Sequence, residues 1–266
     1  MSHTGERELS PLTAAILERD ALANELARRM GQAAILELSA LLHGASSSTR
    51  TFVVTVAGHI DLAISHELVF KALDDEDINV VHAGVAVIEK HQASVSTALL
   101  KGLLDKLTNP DTKNRIILLL GQRLKLNEAA LLEKYCTVEQ PQSIALHCMA
   151  ALAKIGVEKR QQQFAAYLLS LKANQIAFND MFRLINYINQ PWLVPSLRLL
   201  LSNKENVQFL SASLPGYPSV LRVCDKVLPL ITTLLALNLR FQTNRHANFS
   251  DEQLAEVNLI ISNYHY

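Results

Sequence analysis

The chain has 266 residues, with 25 Lys plus Arg against 25 Asp plus Glu, so its formal charge is zero and whole-molecule electrostatics give no argument for a nucleic acid or an anionic membrane as partner. Hydrophobic residues make up 49 % and aromatics only 6 %, with Leu and Ala dominant, which suits closely packed helices. Three scattered cysteines, Cys136, Cys148 and Cys224, lie in apolar helical contexts; they read as buried thiols in a reducing compartment rather than as a disulfide framework.

Taken in order, MSHTGERELSPL holds no basic region followed by an apolar stretch, so no secretory signal is read. Ser10-Pro11 is a helix start, an N-cap hydroxyl before a first-turn proline, and the spacing predicts one helix from Pro11 toward Met30. A second covers Gln32 to His43 and stops at Gly44. TFVVTVAG, Thr51 to Gly58, is β-branched enough for a strand. Its place in the repeat described below puts it in a helix. Helices follow over Asp61–Leu73, Asp77–Lys90, Ser94–Leu107, Asp111–Leu124, Asn127–Tyr135, Pro141–Ile155 and Glu158–Leu171. Then come Gln175–Ile188 and a helix from Pro191-Trp192 that stops near Asn203. Lys204 to Pro218, containing LPGYP, is read as irregular and longer than a usual helix connection. A long helix bent at Pro229 is expected from Pro218, and a last one capped by Ser250 with Gln253 in the capping-box position. The longest uncharged apolar run, Val227 to Leu239, is too short to span a bilayer. A soluble cytoplasmic protein is expected.

One helical hairpin is written three times in the middle of the chain. The copies open at Asp77 (DINVVHAGVAVIEK), Asp111 (DTKNRIILLLGQRL) and Pro141 (PQSIALHCMAALAKIG), each followed by a second helix. The spacings, 34 residues from 77 to 111 and 30 from 111 to 141, lie in the range of helical solenoids. A weaker copy begins at Ser46, setting Arg50 against Arg115 and Gly58 near Gly121.

These openings resemble the first helix of HEAT repeats, particularly the short bacterial kind also found in phycobilisome-lyase-like proteins. Asp77, Val80, Ala83 and Ala86 carry the resemblance in one copy, Asp111, Arg115 and Gly121 in the next, and Ile144, Ala150 and Leu152 in the third. Val81 and Ala145 stand where the repeat arginine would be, and Pro141 where the Asp would be. The resemblance covers about Ser46 to Leu171 and implies a curved binding solenoid with no enzymatic residues. A weaker likeness to the closing helices of bacterial HEAT-type proteins pairs Leu221–Asp225 with Phe249–Glu252. The expected fold is therefore all-α, a right-handed α-solenoid forming a single domain over 1–266. Residues 1–45 would be an N-terminal capping hairpin, 46–172 the repeats and 173–266 divergent C-terminal repeats and cap.

No arrangement of nucleophile, base or phosphate loop stands out. The nine histidines show neither an i, i+4 pair nor a Cys-x-x-Cys partner of zinc-site spacing, and no Gly-x-Ser-x-Gly occurs. No enzyme, no cofactor and no metal are expected. Lys101 to Lys125 holds six basic and two acidic residues without aromatics to stack on bases, which favours a protein partner over nucleic acid; Asp74 to Asp77 is the complementary acidic run. Arg222 and Asp225 read as a structural pair. The function expected is non-catalytic binding of another protein on the concave face, as a bacterial immunity protein neutralises a toxin. A tetrapyrrole lyase or chaperone, and a HEAT-like DNA-binding protein, are the alternatives. Second helices line the inner surface of such arrays, so the expected contact residues are Lys101, Asp105, Lys106, Arg160 and Gln161. Trp192 and Tyr217 join them, beside the irregular segment.

Overall fold

The computed structural model describes residues 9–137, 139–178, 180–209, 220–244 and 246–264. Almost all of its regular structure is helical, and the backbone divides into two compact units, Met1–Leu120 and Gly121–Tyr266.

The first unit runs α1 (Pro11–Leu17), α2 (Leu22–Met30), α3 (Gln32–Gly44), α4 (Ser47–Ala57), α5 (Leu62–Ala72), α6 (Ile78–Lys90), a 3-10 turn at Gln92–Ser94, α7 (Thr97–Lys106) and most of α8 (Pro110–Gly121). The single helix expected from Pro11 to Met30 is two. Arg19 adopts φ 57°, which an α-helix does not admit, and Asp20 Oδ1 restarts the chain by accepting the Leu22 amide at 2.9 Å. Side-chain caps open three helices where the sequence placed them, Ser46 for α4, Asp61 for α5 and Asp77 for α6, whereas the helix expected from Ser94 opens behind Ser96 as α7, Ser94 lying in the 3-10 turn. For α8 the cap is Asn109 rather than Asp111. Its Oδ1 accepts the amides of Asp111 at 2.9 Å and Thr112 at 3.1 Å.

Thr51 to Gly58 is helical, ending α4 and its cap. Burial overrides strand propensity there: Val53, Val54, Val56 and Ala57 pack into the core, and α4 lies against α3 and α6. Gly58 makes the α4–α6 approach possible, since a β-carbon on it would sit 2.7 Å from Val87 Cγ2. Its carbonyl accepts Lys90 Nζ and bonds His91 Nε2, each at 2.9 Å. Two arginines tie helices to their neighbours, Arg50 to the turn before α6 and Arg115 to α6 itself. Arg50 holds Asp75 through Nε–Oδ2 and Nη2–Oδ1, both 2.8 Å, and Arg115 holds Glu89 through Nε–Oε1 at 2.8 Å and a second nitrogen.

The second unit runs through a 3-10 turn (Leu126–Glu128), α9 (Ala130–Glu133), α10 (Gln142–Ile155), α11 (Glu158–Ser170), α12 (Ala173–Phe178), α13 (Met181–Ile188), a 3-10 turn (Pro191–Leu193) and α14 (Val194–Leu200). Strands β1 (Asn206–Phe209) and β2 (Val220–Arg222) follow, then α15 (Val223–Leu234) and α16 (Asp251–Ser262). α10 is its central helix, buried from Ile144 through Ala153 on most sides and packed against α9, α11 and α13. Gly121 lets it in, because a β-carbon there would stand 2.6 Å from Ala151 Cβ. α10 closes on Gly156 at φ 105°, the left-handed cap that glycine adopts without strain.

Three sequence expectations change here. Asn127–Tyr135 is a 3-10 turn followed by the four-residue α9, not one helix. Gln175–Ile188 is split between α12 and α13, with Asp180 at φ 56° as the cap of α13. The helix expected from Pro218 begins only at Val223, since β2 pairs antiparallel with β1 (Asn206 opposite Arg222, Phe209 opposite Val220). The LPGYP motif and Tyr217 lie outside the described residues.

Candidate functional site

In the first unit Lys101, Asp105 and Lys106 lie on α7, a second helix of a hairpin, with Asp105 and Lys106 exposed and Lys101 half-buried. Lys106 lines a hollow of about 430 Å3 with the acidic turn Asp74, Asp75 and Glu76 opposite it. The basic and acidic runs of the sequence therefore meet in part within one unit. Arg115 is bound to Glu89, so its charge is committed inside the fold. Burial raises the Asp75 pKa, and hydrogen bonds donated to its carboxylate by the Arg50 guanidinium and by the Asp77 amide more than reverse this, leaving it below the ordinary aspartate range.

In the second unit Arg160 and Gln161, adjacent in sequence, serve different surfaces. Gln161 Nε2 turns back onto the Ala153 carbonyl at 3.1 Å. Arg160 is largely covered, bonded to Glu133 through Nε (3.1 and 3.2 Å) and a second nitrogen, and to Gln163 at 2.8 Å. The Glu133 hydrogen bond raises its pKa further above the usual guanidinium value. Trp192 packs edge-on against buried Phe164, centroids 6.4 Å apart, with Nε1 donating to Gln190 at 2.7 Å. Gln190 in turn donates to the Lys154 carbonyl at 2.7 Å. Trp192 is thus a plug between α11 and the turn before α14, closing the core.

Arg160 marks one wall of an open cleft of about 600 Å3 between α10 and α11. On α11 the wall is Arg160, Gln163 and Tyr167, spaced i, i+3, i+7. On α10 it is Gln142, Ala145, Leu146 and Met149, spaced i, i+3, i+4, i+7. α11 turns Phe164 and Leu168 to the core and this stripe to the cleft. Gln142 Nε2 donates to Tyr167 Oη at 3.2 Å across it. The floor is apolar, and amides of Gln140, Gln142 and Gln163 stand at the margin. Sequence reasoning selected Arg160 and missed Gln163, Tyr167 and Met149. The signal was the 160/163/167 period, which only gains meaning once α10 is known to lie alongside.

Burial pushes the Cys136 thiol up and the Cys148 thiol further up, so neither supplies a thiolate at neutral pH. His147, buried at the base of α10, is fixed by Ser143 O at 2.7 Å and by Arg183 Nη2 at 3.0 Å. Among the described residues no group of three or more His, Cys, Asp or Glu is placed to hold a metal ion, and no helix is long and apolar enough to cross a membrane.

A second surface is the groove of about 850 Å3 between α14 and α16. Leu199, which lines it from α14, is 62 % exposed. Two polar links cross between the elements, Arg198 Nε to Asn258 Oδ1 at 2.8 Å and Lys204 Nζ to Asp251 at 2.7 Å.

The third feature is internal. Asp225, wholly buried, receives Arg222 Nε at 2.8 Å, Arg222 Nη2 at 2.7 Å and the amides of Arg222 and Phe249 at 3.0 Å. The Asn248 side-chain nitrogen adds a bond at 2.9 Å. Burial raises the Asp225 pKa, and these donors reverse the shift, leaving it below the ordinary aspartate value. The Arg222–Asp225 pair expected from the sequence is therefore structural, and it ties the start of α15 to the approach of α16. No protein-family model, curated protein or solved structure matches the chain.

Proposed function

We propose that this protein is a non-catalytic binding scaffold, whose HEAT-like hairpins stack as layers of a right-handed α-solenoid and which grips a partner protein on the concave face. The layer reading is supported by recurrence. Gly58 admits Val87 in the first unit, and Gly121 admits Ala151 in the second. The separations are 29 and 30 residues (58 to 87, 121 to 151), and each glycine ends the first helix of one hairpin and meets the first helix of the next.

The observation that carries the binding reading is the α10–α11 cleft. Its floor of Ala145, Leu146 and Met149 offers apolar contact, Met149 being a side chain that adapts to its neighbour, while glutamine amides at the rim can pair with peptide groups. An extended segment of a partner, apolar side chains down and backbone toward the glutamines, fits this chemistry better than a compact polar ligand. The test is retention of a partner from native lysate at low salt by the immobilised chain, compared with Met149→Arg. The reading expects a discrete protein retained by the first and lost from the second. Equal retention by both, or none by either, contradicts it.

A further inference from the structure

A hollow lies outside the core contact of α13 and α15. On α13 the core face is Met181, Leu184, Ile185 and Ile188; on α15 it is Val223, Cys224, Val227, Leu228 and Ile231. The opposite stripe of each helix faces the hollow: Phe182, Arg183 and Asn186 from α13, and Lys226, Pro229, Leu230 and Thr233 (i, i+3, i+4, i+7) from α15. Thr243 and Asn244 close it. Its volume of about 380 Å3 falls within the range of small-molecule sites, about 300–1,000 Å3.

The lining is chemically one-sided. Among the described lining residues two are cationic, Arg183 and Lys226, and none carries a carboxylate. Asp180 lies outside the lining and pairs with Arg183. Asn186, Asn244 and Thr243 add three neutral side chains able to donate hydrogen bonds, while the Thr233 hydroxyl donates to the Pro229 carbonyl at 2.8 Å. The apolar wall is Phe182 with Leu230 and Pro229, and Lys226 Nζ stands over the Phe182 ring, 5.7 Å from its centroid. Arg183 is held in place from behind, by Asp180 and by His147 Nε2, so its position is set before any ligand arrives.

We infer that this hollow is a binding site for a small organic oxyanion, a carboxylate or phosphate monoester carried on an apolar or aromatic body. Arg183 and Lys226 receive the oxyanion, the amides and the Thr243 hydroxyl complete its hydrogen bonds, and Phe182 and Leu230 contact the body. The site is separate from the α10–α11 cleft, and loss of partner binding there leaves this inference standing.

The test is calorimetric titration of the full chain with four probes: benzoate, phenyl phosphate, inorganic phosphate and benzylamine. Benzoate or phenyl phosphate is expected to bind, inorganic phosphate more weakly and benzylamine not at all; the stronger of the first two tells carboxylate from phosphate. Lys226→Met, which keeps chain length and removes charge, is expected to weaken that binding about tenfold. Thr233→Phe, a change at an exposed position that fills the hollow, is expected to abolish it, with the helical circular dichroism of both variants unchanged. The inference is overturned if benzylamine binds as tightly as the anions, if neither organic anion binds, or if a folded variant of either kind binds like the parent.

Discussion

The carboxylate of Asp225 accepts the backbone amide of Phe249 at 3.0 Å, 24 residues further along the chain, while Arg222 donates to the carbonyl of the same Phe249 at 2.7 Å. One buried ion pair thus holds both sides of a single residue in the approach to α16. Removing the acceptor leaves Arg222 partly buried without its counter-charge. Asp225→Asn is expected to lower unfolding free energy by about 3 kcal/mol, read from urea denaturation. Arg222→Met is expected to cost a comparable amount, and the double variant less than the sum of the two.

The same carboxylate fixes a pH dependence. Its folded pKa lies below the ordinary value, and an unfolded aspartate titrates near about 3.9. The stabilisation is therefore complete above the unfolded pKa and is lost as pH falls through the folded pKa. Stability measured from pH 6 downward (about two units above that unfolded value) should hold, then fall steeply below about 4. Asp225→Asn should show a shallower acid limb. An acid limb identical in both proteins would remove Asp225 from this role.

The glycine contacts predict opposite signs at different sites. At Gly121 a β-carbon meets Ala151 Cα at 2.9 Å, a backbone atom that cannot rotate away, whereas at Gly58 the first obstacle is a methyl group of Val87. Gly121→Ala is expected to destabilise by about 2–3 kcal/mol and Gly58→Ala by about 1–2 kcal/mol. Gly102, in the middle of α7 with nothing near its absent β-carbon, should respond in reverse: Gly102→Ala is expected to stabilise by about 1 kcal/mol. Thermal or urea unfolding of the three variants checks the order.

At the start of α8 the cap belongs to Asn109. Asn109→Ala is expected to cost about 1 kcal/mol, and Asp111→Asn, which removes only a first-turn charge, a few tenths of a kcal/mol. Equal losses at the two positions would return the cap to Asp111.

Much of the helical character was legible because local chemistry and burial agree. Ser10, Ser46, Asp77 and Ser250 cap helices as their residue types suggest. The β-branched run from Thr51 is helical because Val53, Val54, Val56 and Ala57 are buried on several sides of α4, and burial outweighs strand propensity. What was not legible depended on partners distant in sequence. Val220–Arg222 is a strand because it pairs with Asn206–Phe209, and no local pattern around Pro218 separates that from a helix start. The break at Arg19 carries no glycine or proline; its trace in the sequence is Asp20, a capping residue in what looked like mid-helix. Arg160 was selected as an exposed residue of a second helix. That it is clamped to Glu133, and that Gln163 and Tyr167 share its face opposite Met149, follows from how α10 lies beside α11. Gln161, one residue away, was chosen on the same grounds and instead bonds the Ala153 carbonyl.

The claim that the α10–α11 cleft grips a protein is tested most directly by site-specific photo-crosslinking in cells. A benzoylphenylalanine placed at Gln163, on the exposed margin of the cleft, is compared with one at Glu252, exposed on α16. The account predicts a discrete higher-mass adduct from position 163 that is absent from position 252 and lost when Met149→Arg is combined with it. Adducts of equal yield from both positions, or none from position 163, would contradict it.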